Sequence, residues 1–189
     1  MGNLTDHFAG GGGGNVLEYI SSPADGRTIT TLQGDLTFQN VVAVQNIAST
    51  SLVDVNGSSI TYTPPEGTKY LKYCYSFKID VTQNSGISNY RLYVDNVEVV
   101  DAHKQYSSNY ASTNWNHAGL PGIVEFTFDL TASADAVAEG QFNGWTSDKT
   151  IKVKAHSHHS STYTVGLNSN IYNAAGSIPK PNLTIVAFK

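Results

Sequence analysis

From Lys69 the chain runs KYLKYCYSFKIDV, an apolar and polar alternation that holds its phase for thirteen residues. A helix would wrap this pattern all around its surface, whereas a strand turns successive side chains to opposite faces. Leu71, Tyr73, Tyr75, Phe77, Ile79 and Val81 then share one face, and Tyr70, Lys72, Cys74, Ser76, Lys78 and Asp80 the other. A strand of this length, apolar on one side only, needs a second layer to cover it.

The same period recurs. IVEFTFDL turns Val124, Phe126, Phe128 and Leu130 inward and Glu125, Thr127 and Asp129 outward. In NYRLYVDNVEVVD two alternating runs flank Asp95-Asn96, a dipeptide that tolerates the positive backbone dihedrals of a tight hairpin. Further strands are predicted at VLEYI, RTITTL, LTFQNVVAV, SLVDV, SSITYT, TIKVKA, STYTVGL and LTIVAF, separated by turn-formers such as SSPADG, VNGS, TPPEG and SIPKPN. The fold class read from this is all-β, an antiparallel β-sandwich or jelly roll. The single helical candidate is the alanine-rich TASADAVAEG, read as one turn on a crossover. KQYSSNYASTNWNHAGLPG and EGQFNGWTSDK read as long surface loops.

Ahead of the first strand stand five consecutive glycines, Gly10 to Gly14. Glycine loses the most backbone entropy on ordering, so this run reads as a flexible tether of about 12 Å root-mean-square length. Residues 1–15 are therefore read as an N-terminal docking arm with its linker, and residues 16–189 as the β-domain. Leu4 and Phe8, four apart, fall on one face of a short docking turn.

Charged residues make up only 14% of the 189, against about 25% in an ordinary soluble protein. Such a surface is clothed in Ser, Thr, Asn and Gly or hidden against neighbouring subunits. The net charge of −4 provides no basic footprint for nucleic acid or an anionic membrane. Cys74, the only cysteine, rules out an intrachain disulfide. With no signal-peptide pattern and no apolar run near 20 residues, the chain is expected to be made in a cytoplasm.

No catalytic arrangement is read. GxSxG is absent, and Glu125 and Asp129 on one strand's outer face have no obvious partner across a cleft. His156 and His158 share one face of a strand, a workable metal-ligand spacing, but with no cysteine or carboxylate nearby in sequence the expectation is no metal and no cofactor. In the two loops, Tyr106, Tyr110, Trp115, His117, Phe142 and Trp145 sit among Asn, Ser and Gly, a composition suited to stacking on a host surface glycan. The same residues serve equally as loop packing or subunit contacts.

TSLVDVNGSSITYTPPEGTKYLKYCYSFKI, RLYVDNVEVV and the closing PNLTIVAFK resemble the jelly-roll domain, similar to the tumour-necrosis-factor and C1q heads, of structural proteins from tailed bacteriophages of the marine, cyanophage type. The likeness spans residues 45–189, and the opening NLTDHFAGGGGGNVLEYI is similar to the start of such proteins. It implies a homotrimer on a virion, made in the host cytoplasm and joined through residues 1–14 to another virion protein. Decoration or cement on the capsid, and a head or tail appendage, are the structural roles implied. A tail-fibre adhesin that binds a host receptor or glycan is the alternative on the same scaffold.

Overall fold

The computed structural model describes residues 15–82, 85–109, 117–158, 165–169 and 178–189. Its strands, in chain order, are β1 (Val16–Pro23), β2 (Thr28–Thr31), β3 (Gly34–Thr37), β4 (Gln45–Ile47), β5 (Val53–Asp54), β6 (Ile60–Tyr62), β7 (Tyr70–Thr82), β8 (Ser85–Val94), β9 (Val97–Asn109), β10 (His117–Asp129), β11 (Thr131–Ala136), β12 (Gln141–Asn143), β13 (Lys149–Ser157), β14 (Val165–Leu167) and β15 (Asn182–Phe188). Among the described residues there is no α-helix, and no helix long and apolar enough to cross a membrane.

Two sheets face each other. The first runs β1-β15-β7-β10-β12-β11, with β14 and then β4 extending it beside the far half of β7. In the second, β13 pairs with β8, β8 with β9, and the short β5 and β6 share the other edge of β13. With β1, β6, β7, β8, β9, β10, β13 and β15 counted in chain order, the first layer reads first, eighth, third, sixth. The second layer reads second, seventh, fourth, fifth. A separate hairpin, β2-β3, crosses one end.

β7 anchors the core as its alternation predicts: Leu71, Tyr73, Tyr75, Phe77, Ile79 and Val81 are all buried, and with Val124 and Phe128 of β10 they meet Tyr90, Leu92, Ile151, Val153 and Ala155 of the second layer. Each large side chain so buried contributes about 1.5 to 3 kcal/mol. Tyr75, Phe77 and Tyr90 form a ring ladder across the layers, with centroids 5.1 and 5.0 Å apart. The buried phenols are also tied to backbone. Tyr73 donates to the Ser58 carbonyl at 2.6 Å and Tyr75 to that of Asn56 at 2.8 Å, holding the turn before β6 against the core. The Asp95-Asn96 hairpin forms with φ of +47° and +70°, joining β8 to β9.

Three expectations are corrected. KQYSSNYASTNWNHAGLPG is not a surface loop throughout: β9 runs on to Asn109 and β10 begins at His117, because β8 and β7 offer these polar ends full ladders to pair with, and 110–116 lie outside the described residues. TASADAVAEG is mostly strand: β11 takes Thr131–Ala136, and only Val137–Glu139 coils, as a single 3-10 turn closed by Gly140 at φ +72°. Ten residues with Asp and Ser among the alanines are too few to sustain a helix, while β12 offers a ladder to pair with. EGQFNGWTSDK is not a surface loop throughout, since β12 lies within it and turns Phe142 into the core between outward Gln141 and Asn143. The arm ahead of Asn15, with Leu4 and Phe8, lies outside the described residues.

Candidate functional site

The residues grouped from sequence as a stacking surface separate in space. Phe142 and Trp145 are 0% and 4% exposed, and with Phe128 they form an aromatic knot at one end of the sandwich, their own centroids 4.8 Å apart. Trp145 donates its indole N–H to the Tyr62 carbonyl at 3.1 Å, and the Lys149 ammonium lies 5.7 and 5.9 Å from the two ring centres. Neither ring presents a face to a sugar, because burying an indole whose N–H finds a carbonyl gains more than leaving it in water. Tyr106 is half-buried, edge-on to Tyr90, and its hydroxyl donates to the Ile123 carbonyl and accepts from the Ile123 amide, both at 2.8 Å. Along most of β10 no described strand pairs on that side, so one phenol substitutes for a missing ladder partner. His117 opens β10 opposite Thr82, and Tyr110 and Trp115 lie outside the described residues.

His156 takes an outward position near the end of β13, as the alternation predicts, whereas His158 lies exposed in the bend just past it and not on the strand. The His156 Nδ1 is 3.2 Å from the Ser157 carbonyl oxygen. Among the described residues no three of His, Cys, Asp and Glu converge to hold a metal. Glu125 pairs with Lys72 at 3.0 Å across β10 and β7. Asp129 accepts from the amide and hydroxyl of Thr131, and those bonds hold its carboxyl below the usual range.

Two carboxylates that sequence reasoning missed are better connected. Glu98 accepts from the Tyr93 hydroxyl at 2.8 Å and Arg91 Nη1 at 3.2 Å, and it contacts His103 Nε2. Burial pushes its carboxyl up, but the bonds from Tyr93, His103 and Arg91 outweigh this and hold it below the ordinary value. The cluster exists because β9 bulges: Tyr90 faces Lys104 while Leu92 faces Val99, and the extra residues fold His103 back over Glu98. Lys154 sits over the Tyr93 ring at 4.8 Å and pairs with Asp54, so the outer face of the second sheet is a largely self-neutralised charge network. Glu18 is buried on β1, accepting from the Tyr62 hydroxyl at 2.6 Å and the Leu32 amide at 2.7 Å, which ties β1 and β6 to the β2-β3 hairpin.

What the arrangement offers is surface. On the outer face of the first sheet Tyr19 lies opposite Val186, and Phe188 opposite both Val16 and Tyr70, making one apolar patch in which Tyr19 and Tyr70 are 52% and 44% exposed. It borders the end of the sandwich where the Lys189 amide donates to the Asn15 carbonyl. At that end lies a cleft of about 370 Å³ between the hairpin tip and the two loops that follow β6 and β12. Gln33, Pro64, Pro65, Leu130, Trp145 and Thr146 line it, with the buried Leu130 and Trp145 as its inner wall.

No protein-family model and no curated protein matches the sequence. Solved structures that align with it include that of the infectious bursal disease virus Gx strain, at 12% identity over 77% of this chain and 36% of that one, with a TM-score of 0.25. Another is the infectious bursal disease virus VP2 subviral particle, at 9% identity over 86% of this chain and 43% of that one, with a TM-score of 0.26. The chain spans less than half the length of either.

Proposed function

We propose that this chain is a non-enzymatic structural protein of a virus particle: a homotrimer of jelly-roll domains that decorates or cements a tailed-phage capsid or forms a head or tail appendage, carried by its N-terminal arm. The observation that carries this reading is the strand order. First, eighth, third, sixth against second, seventh, fourth, fifth is the order of an eight-stranded jelly roll, an architecture shared by viral capsid and lectin domains. The residue resemblance favours the virion branch. The lectin or adhesin branch loses support from Phe142 and Trp145, which pack inward. The patch of Val16, Tyr19, Tyr70, Val186 and Phe188 supports association, since aromatic residues are enriched where subunits meet.

Sedimentation of the purified protein, paired with immunogold labelling of particles, tests the reading. The expected result is a species of three times the 20.3 kDa chain, with label at fixed positions on the particle. Tyr19→Lys is expected to release monomers. A monomer at micromolar concentration with no label on particles overturns the proposal, as does turnover of a bacterial polysaccharide by the purified protein.

A further inference from the structure

The end cleft has an occupant within reach. Gly67 and Gly144, one in each of the two loops that flank it, have φ of +83° and +76°, and a Cβ built at either meets nothing within 4 Å. Backbone that suits glycine thus faces empty space from two sides. The walls are tied in place: Thr68 donates its hydroxyl to the Pro65 carbonyl at 2.7 Å, Thr63 to Asp148 at 2.6 Å, and Trp145 its N–H to Tyr62. The cleft is therefore formed before anything enters it.

The path from the start of β1 is short. Val16 lies opposite Phe188, Phe188 opposite Tyr70, and Tyr70 opposite Asp129, which adjoins Leu130 on the cleft wall. Three strand spacings make this about 14 Å. Five glycines span about 12 Å on average and at most about 18 Å when extended. The average reach nearly equals the span, the condition under which a tethered group attains its highest effective concentration, in the millimolar range. What the tether carries is apolar at two points, Leu4 and Phe8, spaced for one face of a turn.

We infer that residues 4–8 of the same chain dock in this cleft, with Phe8 against Leu130, Trp145 and the Pro64-Pro65 wall. The short tether makes a weak contact sufficient, because a site with millimolar intrinsic affinity is half filled at millimolar effective concentration. An arm held this way has to leave its own cleft before it engages a particle, so the cleft competes with the partner for the same side chains.

The test is nuclear magnetic resonance of the isotope-labelled full chain, comparing wild type with a Leu4→Ser/Phe8→Ser variant. Expected are shift changes centred on the Trp145 indole and the Gly67, Thr68, Gly144 and Thr146 amides, independent of protein concentration. A synthetic peptide of residues 1–14, added to the full-length variant, should restore the wild-type positions at about millimolar concentration. Absence of changes at these residues, failure of the peptide to restore them, or wild-type positions in a labelled Leu4→Ser/Phe8→Ser chain co-assembled with unlabelled wild type, which mark a neighbour's arm, overturns the inference. Particle labelling is unaffected by any of these outcomes, so the proposed function stands or falls separately.

Discussion

Alkaline pH is expected to unfold this protein steeply, and buried phenols set the slope. Burial raises the hydroxyl pKa of Tyr62, Tyr73, Tyr75 and Tyr90 well above the ordinary tyrosine value, and for Tyr62 the bond to Glu18 adds to it. Three of the four donate to an acceptor that a phenolate would repel: Glu18, the Ser58 carbonyl and the Asn56 carbonyl. A pKa raised in the folded state means that the contribution is whole below the unfolded value, about 10, and is lost as pH rises above it. Each such group removes about 1.4 kcal/mol per pH unit, and four together between 5 and 6 kcal/mol, to order of magnitude. A domain stable by about 5 to 15 kcal/mol is then exhausted between about pH 11 and 13. The assay follows tyrosinate absorbance and the β-sheet circular dichroism signal in one titration. Absorbance from these four rings should rise only as the dichroism collapses. Tyr73→Phe supplies an internal control: it lowers stability at neutral pH by about 1 kcal/mol through the lost bond to Ser58, and it flattens the alkaline slope by about a quarter. Complete tyrosinate formation with the sheet signal intact, or an unchanged slope in Tyr73→Phe, refutes the reasoning.

Trp145→Ala and Phe142→Ala should each cost about 3 to 5 kcal/mol in urea unfolding, the loss of a packed core aromatic. Gly140→Ala should exceed the cost of about 1 to 2 kcal/mol for a left-handed backbone, because its Cβ would sit 2.1 Å from the Phe126 ring, whereas Gly67→Ala, with open space in front, should pay the backbone cost alone; thermal unfolding compares them. Tyr106→Phe removes both bonds to Ile123, and is expected to cost about 1 to 2 kcal/mol and to speed hydrogen exchange at the Ile123 amide.

Where a segment keeps an apolar and polar phase over many residues, the sequence reading holds. β7, the second half of β10 and the hairpin turn between β8 and β9 lie where the alternation and the Asp95-Asn96 pair place them, while the outer parts of β9 and β10, polar and glycine-bearing, carry no apolar phase and read as loop. β12 escaped because a strand of three residues turns one side chain inward, and one residue has no period. β11 escaped because Ala, Ser and Asp give little contrast between its faces. The Glu98 cluster rests on a bulge that no periodicity shows, since His103 reaches back only after β9 has taken extra residues. The cleft joins Gln33, Pro64, Leu130 and Trp145 from four distant stretches, and a tertiary juxtaposition of that kind has no local signature.

Among the described residues β1 has one neighbour in its sheet, and it is β15, far along the chain from it. Until β15 has been made, Tyr19, Ile20 and the hydrogen-bonding row of β1 lack that ladder, and one edge of the near half of β7 waits for β15 as well. Closure of the first sheet therefore waits on a pairing of very long sequence separation, and the interval before it is when a copy is most open to joining the wrong strand of another.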